Sequence, residues 1–219
     1  FKSTIRTFLA AIQLLMRDPN ECIALFSYKT TAAEGFLKQI MRELESNEHL
    51  LWLFPDILYA DPYTEARQWT PTHGIIIKRG VNRQEASIEA HGLYDAQPTG
   101  KHPTCHIIDD AMHMSFTTTP ERLQGVEEGY RMSRNVRDIG DDFFTMMHGT
   151  IYDFQDFHAR LKDNPPTGMS VSVYPATVDG SMDGDPVLQS KAGLLKDLET
   201  MGPTAFASQK LLDPSKAKK

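Results

Sequence analysis

The sequence predicts an α/β domain built on a mostly parallel sheet with helices packed against it. Short apolar runs of strand length alternate along the chain with segments in which apolar residues recur every three or four positions. Strands that alternate with helices in this way are typical of parallel sheets. The length of 219 residues, with 40% hydrophobic and 24% charged residues, fits one large domain or two small ones and excludes a disordered or fibrous chain.

The first half of the chain predicts a helix, a strand, a second helix and then a strand pair. The first helical pattern ends at Asp18-Pro19-Asn20, which is a stop signal, and the strand pair is joined by a polar turn. The predicted helices span 3–18 and 31–46, and the predicted strands span 22–26, 74–78 and 86–90.

The second half predicts three more strands, two helices between them and a helical tail that Gly202-Pro203 divides. A cluster of Gly, Pro and Asp residues at 177–186 predicts a flexible loop. We therefore expect a core domain at 1–176 and a helical end at 177–219. The strands are expected at 105–108, 143–147 and 169–173, the helices at 120–136 and 154–161, and the tail at 187–212.

Charge and cysteine content limit the function classes. The formal net charge of −6 argues against a surface that grips nucleic acid everywhere, although it allows a local basic patch. Cys22 and Cys105 lie in apolar runs, which predicts buried free thiols in a reducing compartment. An apolar run of about 18 residues is absent from the sequence, so we expect no membrane span. The chain opens directly on a helical pattern without an initiator Met, so we also expect a missing upstream segment.

Lys2-Ser3-Thr4 stands at the start of the first predicted helix. The phosphate-binding loop G-x-x-x-x-G-K-[ST] ends in this way, with a Lys that reaches the β- and γ-phosphates and a hydroxyl that holds Mg²⁺ at a helix N-terminus. Phe1 stands where that pattern has its second Gly. The alternative is a solvated helix cap without a ligand.

Asp109 and Asp110 follow the apolar strand 105–108. In a nucleotide-hydrolysing site the first such carboxylate orients Mg²⁺ and the second positions or deprotonates the attacking water. The alternative is that the two acids cap the next helix. A Zn or Fe site is a further alternative, because His106 and His113 flank the pair, but strand alternation puts His106 and Asp109 on opposite faces.

Gly149-Thr150 follows the apolar strand 143–147. A hydroxyl at the carboxyl end of a strand can contact the γ-phosphate or its water and report hydrolysis to the rest of the protein. A strand followed by an ordinary turn explains the same residues.

These segments, in their order and spacing, resemble the ATPase domain of the large terminase subunit of tailed bacteriophages, the motor that packages DNA. The resemblance covers nearly the whole chain. Besides Lys2-Ser3-Thr4, it includes Ile107-Ile108-Asp109-Asp110 and His148-Gly149-Thr150-Ile151-Tyr152. It also includes, between and after these motifs, the predicted strand and helix from Ile23 to Leu44, Asn47 to Leu50, Leu53 to Asp56, Trp69-Thr70, Ala90 to Gly92, Thr99 to His102, Phe206 to Gln209 and Leu211 to Pro214.

The resemblance implies a P-loop NTPase three-layer fold of the ASCE or RecA-like type, truncated within its phosphate-binding loop. It implies ATP and Mg²⁺ as cofactors and a viral motor that moves double-stranded DNA in the host cell cytoplasm. The implied partners are the portal protein, the small terminase subunit and further copies of the chain in a ring. Lys2, Ser3 and Thr4 would bind nucleotide, Ser3 and Asp109 the metal, Lys2 and Asp110 would be catalytic, and Gly149 and Thr150 would couple hydrolysis to movement.

The sequence departs from the family pattern at Asp110, where many members have Glu, and the shorter side chain would need a closer approach to the attacking water. Nuclease activity, which the family carries in a following domain, is not expected of this chain. The alternatives are another P-loop motor, such as a helicase, and a non-catalytic scaffold fragment with a decayed nucleotide site. A neighbouring subunit could supply an Arg to the transferred phosphate, and the candidates are Arg79, Arg83, Arg131 and Arg134.

Overall fold

The structure, a computed structural model, describes residues 2–94, 98–113, 119–138 and 142–217. The chain divides into two compact units. The first comprises Phe1–Ala111 and Gly125–His148, and the second comprises Met112–Gln124 and Gly149–Lys219. The sequence-based boundary at residue 176, directly before the predicted loop at 177–186, stays a prediction. Phe1, at the Gly position of the phosphate-loop pattern, lies outside the described residues.

Within the described residues, one six-stranded sheet forms the centre of the first unit, in the order β2-β3-β4-β1-β5-β6. The contacts from β4 through β1 and β5 to β6 are parallel, and those of β2 with β3 and of β3 with β4 are antiparallel. The strands are β1 (Ile23–Ser27), β2 (Trp69–Thr70), β3 (Gly74–Ile75), β4 (Ile88–Gly92), β5 (Cys105–Asp109) and β6 (Phe144–His148).

Helices precede and follow the strands along the chain. The first helical segment consists of a π-helix, Thr4–Leu9, that continues directly into α1. The α-helices are α1 (Ala10–Arg17), α2 (Thr30–Ser46), α3 (Glu48–Leu53), α4 (Pro62–Glu65), α5 (Pro120–Ser133), α6 (Phe157–Asp163) and α7 (Lys191–Gln209), and a 3₁₀-helix spans Pro214–Ala217. The predicted α/β class with a mostly parallel sheet is confirmed, and the arrangement is compatible with a three-layer fold.

The central strands β1 and β5 are buried along their whole length, which explains why both read as continuous apolar runs. Because side chains alternate along a strand, Leu25 and Ile107, which are register partners, share one face of the sheet. That face forms a core with Leu15 of α1 and Leu37 of α2. Asp109 is two residues after Ile107 on β5, so its side chain lies on the same face of the sheet. It stands at the end of the strand, beside the N-terminal helical segment.

Most element predictions are confirmed with small changes of boundary. The predicted helix at 154–161 begins at Phe157, because the Asp156 carboxylate caps it by accepting the Ala159 N–H at 2.8 Å. The predicted strand pair is present but short, with Ile75 opposite Ile88 in antiparallel register. Cys22 and Cys105 are buried and free, as predicted.

The predicted strand at 169–173 is wrong. These residues alternate apolar and polar side chains, but the structure assigns them to no strand, and Val171 and Val173 remain 42% and 43% exposed. A period of two shows only that a segment suits a half-buried strand, and it does not supply a neighbouring strand to pair with.

The second unit has a small core of its own around α7. Leu194, Phe206 and Leu211 are its buried members. Helix α7 bends at Gly202, whose φ of 76° and ψ of 162° only glycine adopts readily, and Pro203 restarts the helix after it. The interruption predicted at Gly202-Pro203 is therefore confirmed. In the part of the chain that the structure describes, no helix is long and apolar enough to cross a membrane.

Candidate functional site

The first helical segment brings two hydroxyls to the end of β5. Ser3 and Thr7 are four residues apart, and the π-helix from Thr4 to Leu9 completes its turn in slightly more than four residues, so both side chains lie on one side. A π-helix of six residues is rare, and such turns occur frequently at functional sites. Thr7 is fully buried, whereas Ser3 is only partly buried.

The Asp109 carboxylate receives three hydrogen bonds. Ser3 Oγ donates to Oδ1 at 3.1 Å, Thr7 Oγ1 donates to Oδ2 at 2.7 Å, and His148 Nε2 lies 3.1 Å from Oδ1. Burial of this fully enclosed side chain would raise the pKa of Asp109, but the hydrogen bonds from His148, Thr7 and Ser3 outweigh burial and hold the pKa below its ordinary value. Asp109 is therefore a buried, charged carboxylate.

Asp110 points to Lys2. The Asp110 carboxylate and the Lys2 ammonium form an ion pair between partly exposed side chains. The backbone of Asp110 is left-handed, with a φ of 47°, and its N–H donates to the carbonyl of His148 at 3.0 Å. Asp is one of the few residues that tolerate this conformation, which turns its side chain away from the face that Asp109 occupies. The two adjacent acids therefore serve different partners.

His148 ends β6 as the register partner of Asp109. Its Nε2 lies 2.7 Å from Thr7 Oγ1 and 3.1 Å from Asp109 Oδ1. A hydrolytic triad needs the imidazole to bridge nucleophile and acid through its two different nitrogens. Here both contacts use Nε2 and the hydroxyl is buried, so this group is not an acyl-transfer triad.

The structure thus brings Lys2, Ser3, Asp109 and Asp110 together in the first unit, as the sequence suggested. Thr4, also predicted to bind nucleotide, has an exposed side chain on the π-helix. Gly149 and Thr150 belong to the second unit. A Cβ added at Gly149 would collide with the imidazole of His158, so the close approach of that ring explains the glycine.

The alternative Zn or Fe site does not form. His106 lies on the opposite face of β5 from Asp109, and its Nε2 is 2.9 Å from the carbonyl of Val136. Its ring packs edge-on against Phe26 and Phe143. Burial lowers the pKa of His106 to about 4, so it is a neutral core residue. Among residues 2–94, 98–113, 119–138 and 142–217, no group of three or more His, Cys, Asp or Glu side chains could hold a metal ion.

Comparison with known proteins adds no assignment to this geometry. No protein-family model and no curated protein matches the sequence.

The side chains that converge here suit a magnesium-bound phosphate ester. Ser3 and Asp109 offer hard oxygen donors next to each other, which is the ligand type that Mg²⁺ prefers. Lys2 supplies a cation at the start of a helix, where backbone N–H groups also favour an anion. The Asp110 carboxylate, which is paired with Lys2 in this structure, could orient a water molecule once Lys2 binds a phosphate.

Sequence reasoning missed Thr7 and the contact that His148 makes with Asp109. A usable signal was present, because Thr7 is a polar residue four positions after Ser3 in a segment whose inward face is otherwise apolar. The pairing with His148 carried no such signal, since the two residues are 141 positions apart.

The four candidate arginines differ in their availability. The Arg79 guanidinium donates to the carbonyls of Glu85 and Arg83 in its own chain, at 2.6 Å and 3.0 Å. Arg83 is paired with Asp138 at 2.5 Å. Arg131 has a side chain that is 75% exposed and pairs with its helical neighbour Glu127, and Arg134 is also exposed. The side chains of Arg131 and Arg134 are therefore the more accessible ones.

Proposed function

We propose that this chain is the ATP-hydrolysing domain of a viral DNA-packaging motor of the large-terminase type. The observation that carries the proposal is the convergence of Lys2 and Ser3 with Asp109 and Asp110. The first two residues are more than a hundred positions away from the last two in the sequence. Lys2 contacts Asp110 and Ser3 contacts Asp109, which are the pairings that a phosphate-binding loop and an acidic pair require in one nucleotide site.

Each residue has one role in the proposed reaction. Lys2 binds the β- and γ-phosphates and neutralises the charge that develops on them. Ser3 and Asp109 would hold Mg²⁺, which would supply charge stabilisation on the phosphate oxygens. Asp110 accepts a hydrogen bond from the attacking water and orients it in line with the γ-phosphate. Gly149-Thr150, which directly follows His148, couples hydrolysis to movement.

The partners follow from the resemblance. Double-stranded DNA is the translocated substrate, the portal protein and the small terminase subunit are the assembly partners, and the chain works as a homo-oligomeric ring in the host cytoplasm. The net charge of −6 requires that DNA contact a local basic surface rather than the whole domain. Another P-loop motor would share the site but not the motifs that flank it.

The proposal is tested by ATP hydrolysis in the natural full-length protein with and without DNA. Lys2→Ala and Asp109→Ala should each lower DNA-stimulated hydrolysis by about 100-fold or more, because each removes charge complementarity to the transferred phosphate or its metal. Lys38→Ala removes an exposed Lys on α2 and is the matched control. It should hydrolyse ATP at the wild-type rate.

Two results would contradict the proposal. Retained turnover in both site variants would remove these residues from catalysis. Failure of the wild-type protein to bind ATP with Mg²⁺ in isothermal titration would favour the alternative of a non-catalytic scaffold with a decayed nucleotide site.

A further inference from the structure

The hydrogen bonds around Thr7 leave only one consistent arrangement of protons. Thr7 Oγ1 donates its single hydroxyl proton to Asp109 Oδ2, which lies 2.7 Å away. The Thr7 oxygen can then only accept from His148 Nε2, which lies 2.7 Å away. His148 must therefore carry its proton on Nε2, and this proton is shared between Thr7 and Asp109 Oδ1.

The two oxygens of the Asp109 carboxylate have different hydrogen-bond partners. Oδ2 is held by Thr7 from within the core, while Oδ1 faces Ser3 and His148. A carboxylate held by one oxygen cannot rotate about its Cβ–Cγ bond without losing that hydrogen bond. The Ser3 hydroxyl is the donor that would turn toward a metal, since it is the partly buried one. Thr7 would keep its contact throughout.

We propose that Thr7 is a positioning residue for magnesium, which fixes the Asp109 carboxylate through Oδ2 and orients the His148 imidazole through Nε2. Thr7 touches neither substrate nor metal and acts through these two side chains. The inference rests on the proposed function, because it concerns the metal step of that reaction. Groups that hold a metal ligand in place typically change metal affinity or activity about 10- to 100-fold when they are lost.

The test compares three variants of the full-length protein. Thr7→Val keeps the shape and removes the hydroxyl, and Thr7→Ser restores the hydroxyl. Thr104→Val is the matched control, because Thr104 also contacts a carboxylate, that of Glu21, but lies before β5 and away from Asp109. Hydrolysis is measured as a function of Mg²⁺ at saturating ATP. Thr7→Val should raise the half-saturating Mg²⁺ concentration at least about tenfold, and Thr7→Ser and Thr104→Val should match the wild type.

A second measurement uses the metal-free protein and needs no activity. The ¹⁵N shifts of the His148 ring distinguish a proton on Nε2 from one on Nδ1, and wild-type His148 should carry it on Nε2. Exchange of this proton with solvent should be faster in Thr7→Val and normal in Thr7→Ser.

The outcomes separate the two proposals. If the wild type hydrolyses ATP and Thr7→Val keeps the wild-type dependence on Mg²⁺, the positioning role is overturned and the proposed function stands. If His148 carries its proton on Nδ1, the hydrogen-bond arrangement is overturned whatever the activity. If the wild type neither binds nor hydrolyses ATP, the proposed function falls, and the positioning role falls with it.

Discussion

Glu89→Gln should destabilise the first unit near neutral pH, and the effect should disappear in acid. Glu89 lies on β4 with a side chain that is 8% exposed, and it pairs with Lys101 and with His91 at 3.4 Å. It also accepts the Ala86 N–H at 2.8 Å. Burial would raise the pKa of Glu89, but these hydrogen bonds outweigh it and lower the pKa to about 2. Gln is uncharged, so it imitates the protonated carboxyl.

The size of the effect follows from the two pKa values of Glu89. A fall from 4.5 to about 2 corresponds to roughly 3 kcal/mol, at about 1.4 kcal/mol per pH unit. Because the pKa is lower in the folded state, this stability is fully present above the unfolded value of 4.5 and is lost as the pH falls toward about 2. Glu89→Gln should therefore be about 3 kcal/mol less stable near neutral pH and equal to the wild type near pH 2.

The assay is urea unfolding followed by tryptophan fluorescence at a series of pH values. Trp52 and Trp69 are the two tryptophans of the sequence, and both belong to the first unit, so the signal reports the unit that contains Glu89. Glu128→Gln on the exposed side of α5 is the control and should change stability by less than about 0.5 kcal/mol at every pH. A destabilisation of Glu89→Gln that stays constant down to low pH would refute the linkage argument, and so would its absence at neutral pH.

Two further predictions concern Gly149 and the exposed Arg131. Gly149→Ala should lower the stability of the second unit by about 1 to 3 kcal/mol in denaturant unfolding followed by circular dichroism, because its Cβ collides with the imidazole of His158. Gly35→Ala on α2, where the Cβ meets nothing within 4 Å, should not destabilise the protein; an equal loss in both would contradict the collision. Arg131→Ala should lower DNA-stimulated hydrolysis without changing the melting temperature, whereas Arg79→Ala, which loses hydrogen bonds within its own chain, should lower the melting temperature. A lower melting temperature in Arg131→Ala, with unchanged hydrolysis, would contradict the role proposed for Arg131.

The local sequence was sufficient to predict the positions of the acidic pair and of the first hydroxyls. Asp109 and Asp110 follow a run of buried residues, and Ser3 precedes a helix whose apolar residues recur at helical spacing. Both signals are short in range, because they depend on periodicity and on which residues end an element. That the carboxyl end of a strand lies beside a helix N-terminus is a general property of parallel sheets.

The structural features that the sequence did not predict correctly depend mostly on partners far away in the chain. The segment 169–173 has the alternation of a strand, but strand formation requires a neighbouring edge that the alternation itself does not specify. The contact of Thr7 with His148 joins residues at the two ends of the first unit. The sequence also could not predict the π-helix that contains Thr7, because its residues have the same helical periodicity as an α-helix to within one position.

The ion pair of Lys2 with Asp110 has a consequence for the proposed reaction. Both residues would act on the same nucleotide, Lys2 on its phosphates and Asp110 on the attacking water, yet here each neutralises the other. Asp110 can accept a hydrogen bond from water fully only after Lys2 has moved to a phosphate. Since the two side chains are about one-third exposed, solvent screens the pair and a triphosphate with its higher charge can compete for Lys2. The catalytic carboxylate would then be released by the arrival of the substrate, which would keep Asp110 from orienting water before ATP is bound.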